Sequence, residues 1–133
     1  MPNPPDYSTT APHRRVLCAD DNIFVRKAIC FALSQAKYAV ECVADGREAL
    51  ERIEAANGAF QILVTDHYMP NLSGLELVRL LVSQKRPLEI IVVSGGLNPE
   101  AKNEYMRLGV RKIIEKPFFA DEIIEALESI SPE

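Results

Sequence analysis

The chain alternates short apolar runs with longer stretches in which apolar residues recur every three or four positions. Val16-Leu17-Cys18-Ala19, Tyr38 to Val43, Ile62-Leu63-Val64-Thr65, Leu88 to Val93 and Ile113-Ile114 are the runs, and each reads as a strand. Helical patterns lie between them: Ile23 to about Gln35, Ala49-Leu50-Ile53-Ala56, Leu75-Val78-Leu81-Val82, Asn98-Pro99 to about Leu108, and Ile123-Ile124-Leu127-Ile130. Their ends are marked chemically. Asn22 or Asp21 can cap the first helix, and Asp45 to Glu48 and Ser73 to Glu76 have capping-box spacing. Pro99 suits a first helical turn, and Asn57-Gly58 and Gly109 suit helix stops. Strands that are apolar throughout, with no polar alternation, belong to a sheet covered on both faces. The expected fold is therefore α/β, a doubly wound five-stranded parallel sheet with five helices.

Right-handed crossovers bring the C-terminal ends of all such strands to one edge. That edge collects Asp20 and Asp21 after the first strand, Asp66 after the third, Ser94 after the fourth and Lys116 after the fifth. Singly, each has a plain structural reading. An aspartate closing a strand is commonly a turn former or cap, Ser94-Gly95-Gly96 a turn, Lys116 a solvated loop lysine, and His67 an exposed imidazole.

Jointly they point to chemistry. Two carboxylate charges about 4 Å apart repel by about 4 kcal/mol at an effective dielectric near 20. A bound cation relieves this, and an all-oxygen set suits Mg²⁺ or Mn²⁺ better than zinc. No second histidine stands at ligand spacing from His67, since His13 lies near the N-terminus. A lysine and a hydroxyl beside three carboxylates suit a phosphoryl group. Asp66 would be the nucleophile, forming an aspartyl-phosphate, with Ser94 and Lys116 binding the phosphoryl oxygens.

Composition narrows the class without naming the chemistry. A length of 133 residues suits one domain, and 47% apolar with 26% charged residues is ordinary for a globular protein. The net charge of −4 argues against a nucleic-acid surface on this domain. No apolar run approaches 18 residues and no signal peptide is evident, so a cytoplasmic protein without a membrane segment is expected. Cys18, Cys30 and Cys42 each lie in apolar context and read as buried free thiols in a reducing compartment. Four of the nine prolines fall within residues 1–12, so residues 1–13 are expected to be a disordered arm and 14–131 the folded domain.

The acid pair Asp20-Asp21, Asp66 followed by Met69-Pro70 and Gly74, Ser94-Gly95 and Lys116-Pro117 together resemble the response regulator receiver domain of two-component signalling. The resemblance implies a flavodoxin-like strand order, 2-1-3-4-5, with Asp66 phosphorylated from the phosphohistidine of a histidine kinase or phosphotransfer protein. It implies Mg²⁺ held by Asp21, Asp66 and the main-chain carbonyl of Tyr68, with Asp20 acting through water. It also implies a cis bond at Lys116-Pro117, a fused or separate output partner, and no enzymatic turnover beyond the domain's own phosphorylation and dephosphorylation.

Two positions depart from the family pattern. Ile113 stands where an aromatic switch residue is usual, so the switch is expected to work through the backbone of Ser94, Gly95 and Gly96, with Ile113 staying buried. Tyr68 is bulky and Gly96 offers no hydrogen bond to a hydrolytic water, so a long-lived phosphorylated state is expected. Phe24 and Val25 read as core, or as a kinase contact if exposed. A metal-dependent phosphohydrolase with an aspartyl nucleophile is an alternative, but it would place a second Asp where Tyr68 stands. A flavin-binding flavodoxin-like protein is another, but Asp20-Asp21 would repel the flavin phosphate.

Overall fold

The computed structural model describes residues 14–130. The expected arm over 1–13 and the end of the expected domain at 131 lie outside them. The elements alternate strictly: β1 (Arg15–Ala19), α1 (Ile23–Gln35), β2 (Ala39–Val43), α2 (Gly46–Ala56), β3 (Ile62–Thr65), α3 (Gly74–Ser83), β4 (Glu89–Ser94), α4 (Pro99–Arg107), β5 (Lys112–Glu115) and α5 (Ala120–Glu128). The five strands are parallel, in the order β2-β1-β3-β4-β5.

Each strand sends alternate side chains to opposite faces, and both faces are covered. Leu17, Ala19, Leu63, Ile90 and Val92 pack under α2, α3 and α4 with Leu77, Val78, Leu81 and Tyr105. Val16, Cys18, Ile62, Val64, Ile91, Val93 and Ile114 pack under α1 and α5 with Ile29, Leu33, Ile123 and Leu127. The unbroken apolar character of the runs follows from this double burial. Among the described residues no helix is long and apolar enough to cross a membrane.

Side chains fix where the helices begin. The Asn22 side chain accepts hydrogen bonds from the Phe24 and Val25 amides, and Asp45 accepts one from Glu48. Ser73 and Glu76 form a reciprocal capping box, and Asn98 caps α4 ahead of Pro99. Asn57 and Gly109 adopt positive φ, 51° and 95°, where α2 and α4 stop.

Three expectations need correction. In α3, Leu77, Val78 and Leu81 are buried, while Leu75 is half-buried and Val82 is 41% exposed. The buried N-terminal glycine, Gly74, sets the rotation of the helix about its axis, and so turns position 77 inward ahead of 75 and 82. Phe24 is 81% exposed and not core, because α1 buries its Ile29–Leu33 side. Cys30 and Cys42 are joined by a disulfide, leaving only Cys18 as a free, buried thiol, its pKa pushed up to about 12 by burial. Cys42 lies in register with Cys18 on the edge strand β2, so it faces the side on which α1 delivers Cys30. An apolar context marks burial and says nothing of which sulfurs meet.

Gly74 is set by close approach. A Cβ there would collide with the Asp66 carbonyl oxygen and lie 2.9 Å from both His67 Cα and the Tyr105 hydroxyl. Gly74→Ala should therefore destabilise the domain by about 1–3 kcal/mol through overpacking, as read by denaturant unfolding monitored by circular dichroism. An unchanged midpoint would show that the loop yields without cost.

Candidate functional site

The strand order places β1 beside β3, and the ladder runs one residue past both strands. The Asp66 amide donates to Ala19 O (2.9 Å) and the Asp20 amide to Val43 O (3.2 Å). Asp20 and Asp66 thus stand side by side, 1% and 6% exposed. Asp21 is exposed at the rim, and oxygens of all three carboxylates lie within 4.8 Å of one another.

Each buried carboxylate is held in the same way. Asp20 Oδ1 accepts from the Asn22 amide (2.9 Å) and Asp66 Oδ1 from the His67 amide (2.7 Å). Lys116 Nζ donates to the remaining oxygen of each, at 3.1 Å to Asp20 and 3.2 Å to Asp66. The Arg26 guanidinium adds a bond to the Asp20 carbonyl oxygen (2.7 Å). Burial raises the Asp20 pKa, and its hydrogen bonds oppose this only in part. Burial works to lower the Lys116 pKa, but the hydrogen bond to Asp20 and the charges of Asp66 and Asp20 outweigh it, and the net direction is upward. The lysine therefore stays an ammonium.

Lys116 comes from the loop after β5, where its peptide bond to Pro117 is cis and its amide donates to Ser94 O (3.1 Å). Ser94, the last residue of β4, is 1% exposed, and its hydroxyl has no hydrogen-bond partner among the described residues. A buried hydroxyl left unbonded costs about 1–3 kcal/mol, so a ligand that accepts from it would be favoured. Three carboxylates, an ammonium and an uncommitted hydroxyl form a donor set that fits a hard divalent cation together with a phosphoryl group.

Every residue placed at this edge from the sequence is found there. Gly96 has φ 72°, and Tyr68, 57% exposed, reaches over the mouth with its hydroxyl 3.5 Å from Gly96 O. Ile113 is only half-buried, packed at the margin of the core under α4.

His67, expected to be simply exposed, is half-buried, with its Nδ1 2.6 Å from the Tyr105 hydroxyl. Burial lowers the imidazole pKa against the opposing effect of Asp66, and burial with the Asp66 charge raises that of the phenol. A neutral imidazole beside a protonated phenol fits a bond donated by the hydroxyl to Nδ1. Sequence reasoning missed Arg26 and Tyr105. The visible sign of Tyr105 is that it is the one aromatic residue in the otherwise mostly polar stretch Pro99–Arg107.

The comparisons agree with this geometry. The family model for the response regulator receiver domain matches residues 16–128. Among relatives, the transcriptional regulatory protein FixJ of Bradyrhizobium diazoefficiens is 31% identical over 121 residues, covering 91% of this chain and 57% of its own length. FixJ of Rhizobium meliloti is 37% identical over 113 residues, covering 84% of this chain and 54% of its own. The chain spans about half the length of the full regulators it matches. A solved response regulator receiver protein from Pseudomonas putida superposes with a TM-score of 0.82 at 29% identity, over 90% of this chain and 99% of that one. The crystal structure of FixJ-N gives 0.78 at 34% identity, over 89% of this chain and 93% of that one. With its acid edge intact, its strands in the matching order and nearly all of its described length aligned, the chain belongs to the response regulator receiver domain family.

Proposed function

We propose that Asp66 is the phosphoacceptor of this receiver domain and that a phosphohistidine on a histidine kinase or phosphotransfer protein is its donor. The observation that carries this reading is the buried Ser94 hydroxyl, without a hydrogen-bond partner among the described residues, at the edge shared by Lys116 and three carboxylates. An Asp66 carboxylate oxygen forms the O–P bond as the donor's N–P bond breaks, and the electron pair returns to the imidazole nitrogen. Lys116 and Ser94 bind phosphoryl oxygens as charge redistributes. Asp21, Asp66 and the main-chain carbonyl of Tyr68, with Asp20 acting through water, would hold Mg²⁺, or Mn²⁺ in its place. When bound, the cation neutralises phosphoryl charge.

Acetyl phosphate with Mg²⁺ should therefore add one phosphoryl group, read by intact mass, and Asp66→Asn should abolish it. At free Mg²⁺ near 100 times its Kd the cation alone should stabilise the fold by about 2.7 kcal/mol. Labelling that persists in Asp66→Asn would move the acceptor elsewhere.

Donor docking follows from what surrounds the site. Phe24, Val25, Ala28, Pro117 and Phe118 line an apolar groove that opens beside Lys116, with Phe24 81% exposed. A helical bundle presenting its phosphohistidine from an apolar face would seat there and bring phosphorus to Asp66. Phe24→Ala should slow transfer from the kinase about fivefold or more, equivalent to about 1 kcal/mol of docking energy, and leave acetyl-phosphate labelling unchanged. Equal loss with both donors would indicate damage to the fold.

The phosphorylated state should be long-lived. Hydrolysis needs a water in line with the Asp66–phosphorus bond, and the Tyr68 ring spans from its own loop to Gly96 across the approach. Tyr68→Ala should hasten loss of the phosphoryl group in a timed intact-mass assay. A mutant lifetime equal to or above that of the wild type would show that the ring is no barrier. With Ile113 in place of an aromatic residue, the backbone of Ser94, Gly95 and Gly96 carries the first movement of the switch.

A further inference from the structure

Helix α4 is attached to the domain unusually. Its sequence, Pro99-Glu-Ala-Lys-Asn-Glu-Tyr-Met-Arg, has one fully buried side chain, Tyr105 at 0% exposed. Met106 is 53% exposed, and the middle of α4 is tied to neighbours by ion pairs from two half-buried residues, Glu104 to Arg79 of α3 and Lys102 to Glu115 of β5. Such surface pairs hold position weakly. Ala101 and the C-cap Leu108 pack only partly against the same core, so the placement of α4 over the sheet rests chiefly on the Tyr105 ring.

The polar end of that ring is not free to settle where it will. Its hydroxyl is bonded to His67 Nδ1 at 2.6 Å, and the two rings meet edge to face at 5.6 Å. His67 is in turn fixed at three further points. Its amide donates to Asp66 Oδ1 (2.7 Å), its carbonyl accepts from the Gly74 amide (2.8 Å), and its ring lies against Tyr68. Gly74 leaves room for the contact, since a Cβ there would sit 2.9 Å from the Tyr105 hydroxyl. An unbroken chain of hydrogen bonds thus runs from the Asp66 carboxylate through one residue to the sole buried anchor of α4.

We propose that His67 and Tyr105 are positioning residues that relay the state of Asp66 to helix α4. The proposal rests on Asp66 being the phosphoacceptor. A phosphoryl group on Asp66 redirects its oxygens, and the His67 amide must follow or lose its acceptor. The imidazole moves with its own backbone, and a buried hydroxyl cannot cheaply lose its partner. The Tyr105 ring, and with it the face of α4 bearing Met106, then shifts. This path leaves through the β3–α3 loop and does not run through the backbone of Ser94.

The test compares amide NMR spectra with and without beryllofluoride and Mg²⁺ in the wild type, Tyr105→Phe, His67→Phe and His67→Asn. In the wild type, amides of Ser94, Lys116 and residues 100–107 should all shift. In Tyr105→Phe, which keeps the ring and removes only the hydroxyl, Ser94 and Lys116 should still respond while the response of α4 is lost. His67→Phe should reproduce that split should Tyr105→Phe prove unfolded, and His67→Asn, whose side-chain oxygen can accept from the hydroxyl in place of Nδ1, should keep the response. An α4 response equal to wild type in Tyr105→Phe or His67→Phe would overturn the relay and leave the phosphoacceptor intact. No response at Ser94 or Lys116 in the wild type would overturn the phosphoacceptor reading and the relay with it.

Discussion

One ammonium group, that of Lys116, lies between two buried carboxylates, and the active edge depends on it. Asp20 and Asp66 are adjacent because β1 and β3 are adjacent, and both are nearly sealed from water. Without a cation between them, two like charges would share a site of low polarity, and removing one partner of a buried ion pair typically costs about 3–5 kcal/mol. Lys116 enters from β5, beyond β4, so only a long side chain can reach over Ser94 to both acids. The backbone bond from the Lys116 amide to Ser94 O sets where that side chain starts.

Because Lys116 occupies one oxygen of each acid and a backbone amide the other, Asp20 and Asp66 are held before any ligand arrives. Ser94 is the exception at this edge, buried with a hydroxyl that has no partner among the described residues. A site that is otherwise satisfied and lacks one acceptor for one donor is organised for a group that brings oxygens. The same economy holds α4. Its single fully buried residue is bonded to His67, the neighbour of Asp66, while Ala101 and two surface ion pairs add weaker holds.

Much of this was legible in the chain itself. Continuous apolar runs separated by capped helices dictated the covered parallel sheet, and chirality then required Asp20, Asp21, Asp66, Ser94 and Lys116 to share one edge. The strand order came from resemblance, because periodicity alone does not say which parallel strands are neighbours. Burial around the helices was less legible. Phe24 and Val82 are as apolar as their buried neighbours, yet both are exposed, since the rotation of each helix is set by packing at a few close contacts such as Gly74.

What the sequence determined by itself was therefore the part governed by local rules: element type, element ends, and the gathering of charged residues at the strand termini. What only the tertiary structure decided was pairing between elements. The Cys30–Cys42 bond, the Arg26 contact to Asp20, and the His67–Tyr105 bond across 38 residues all join side chains whose meeting depends on helix rotation and sheet register. Those quantities arise from the packing of the whole core, where each side chain is placed by many small contacts at once, and no short stretch of the chain encodes them.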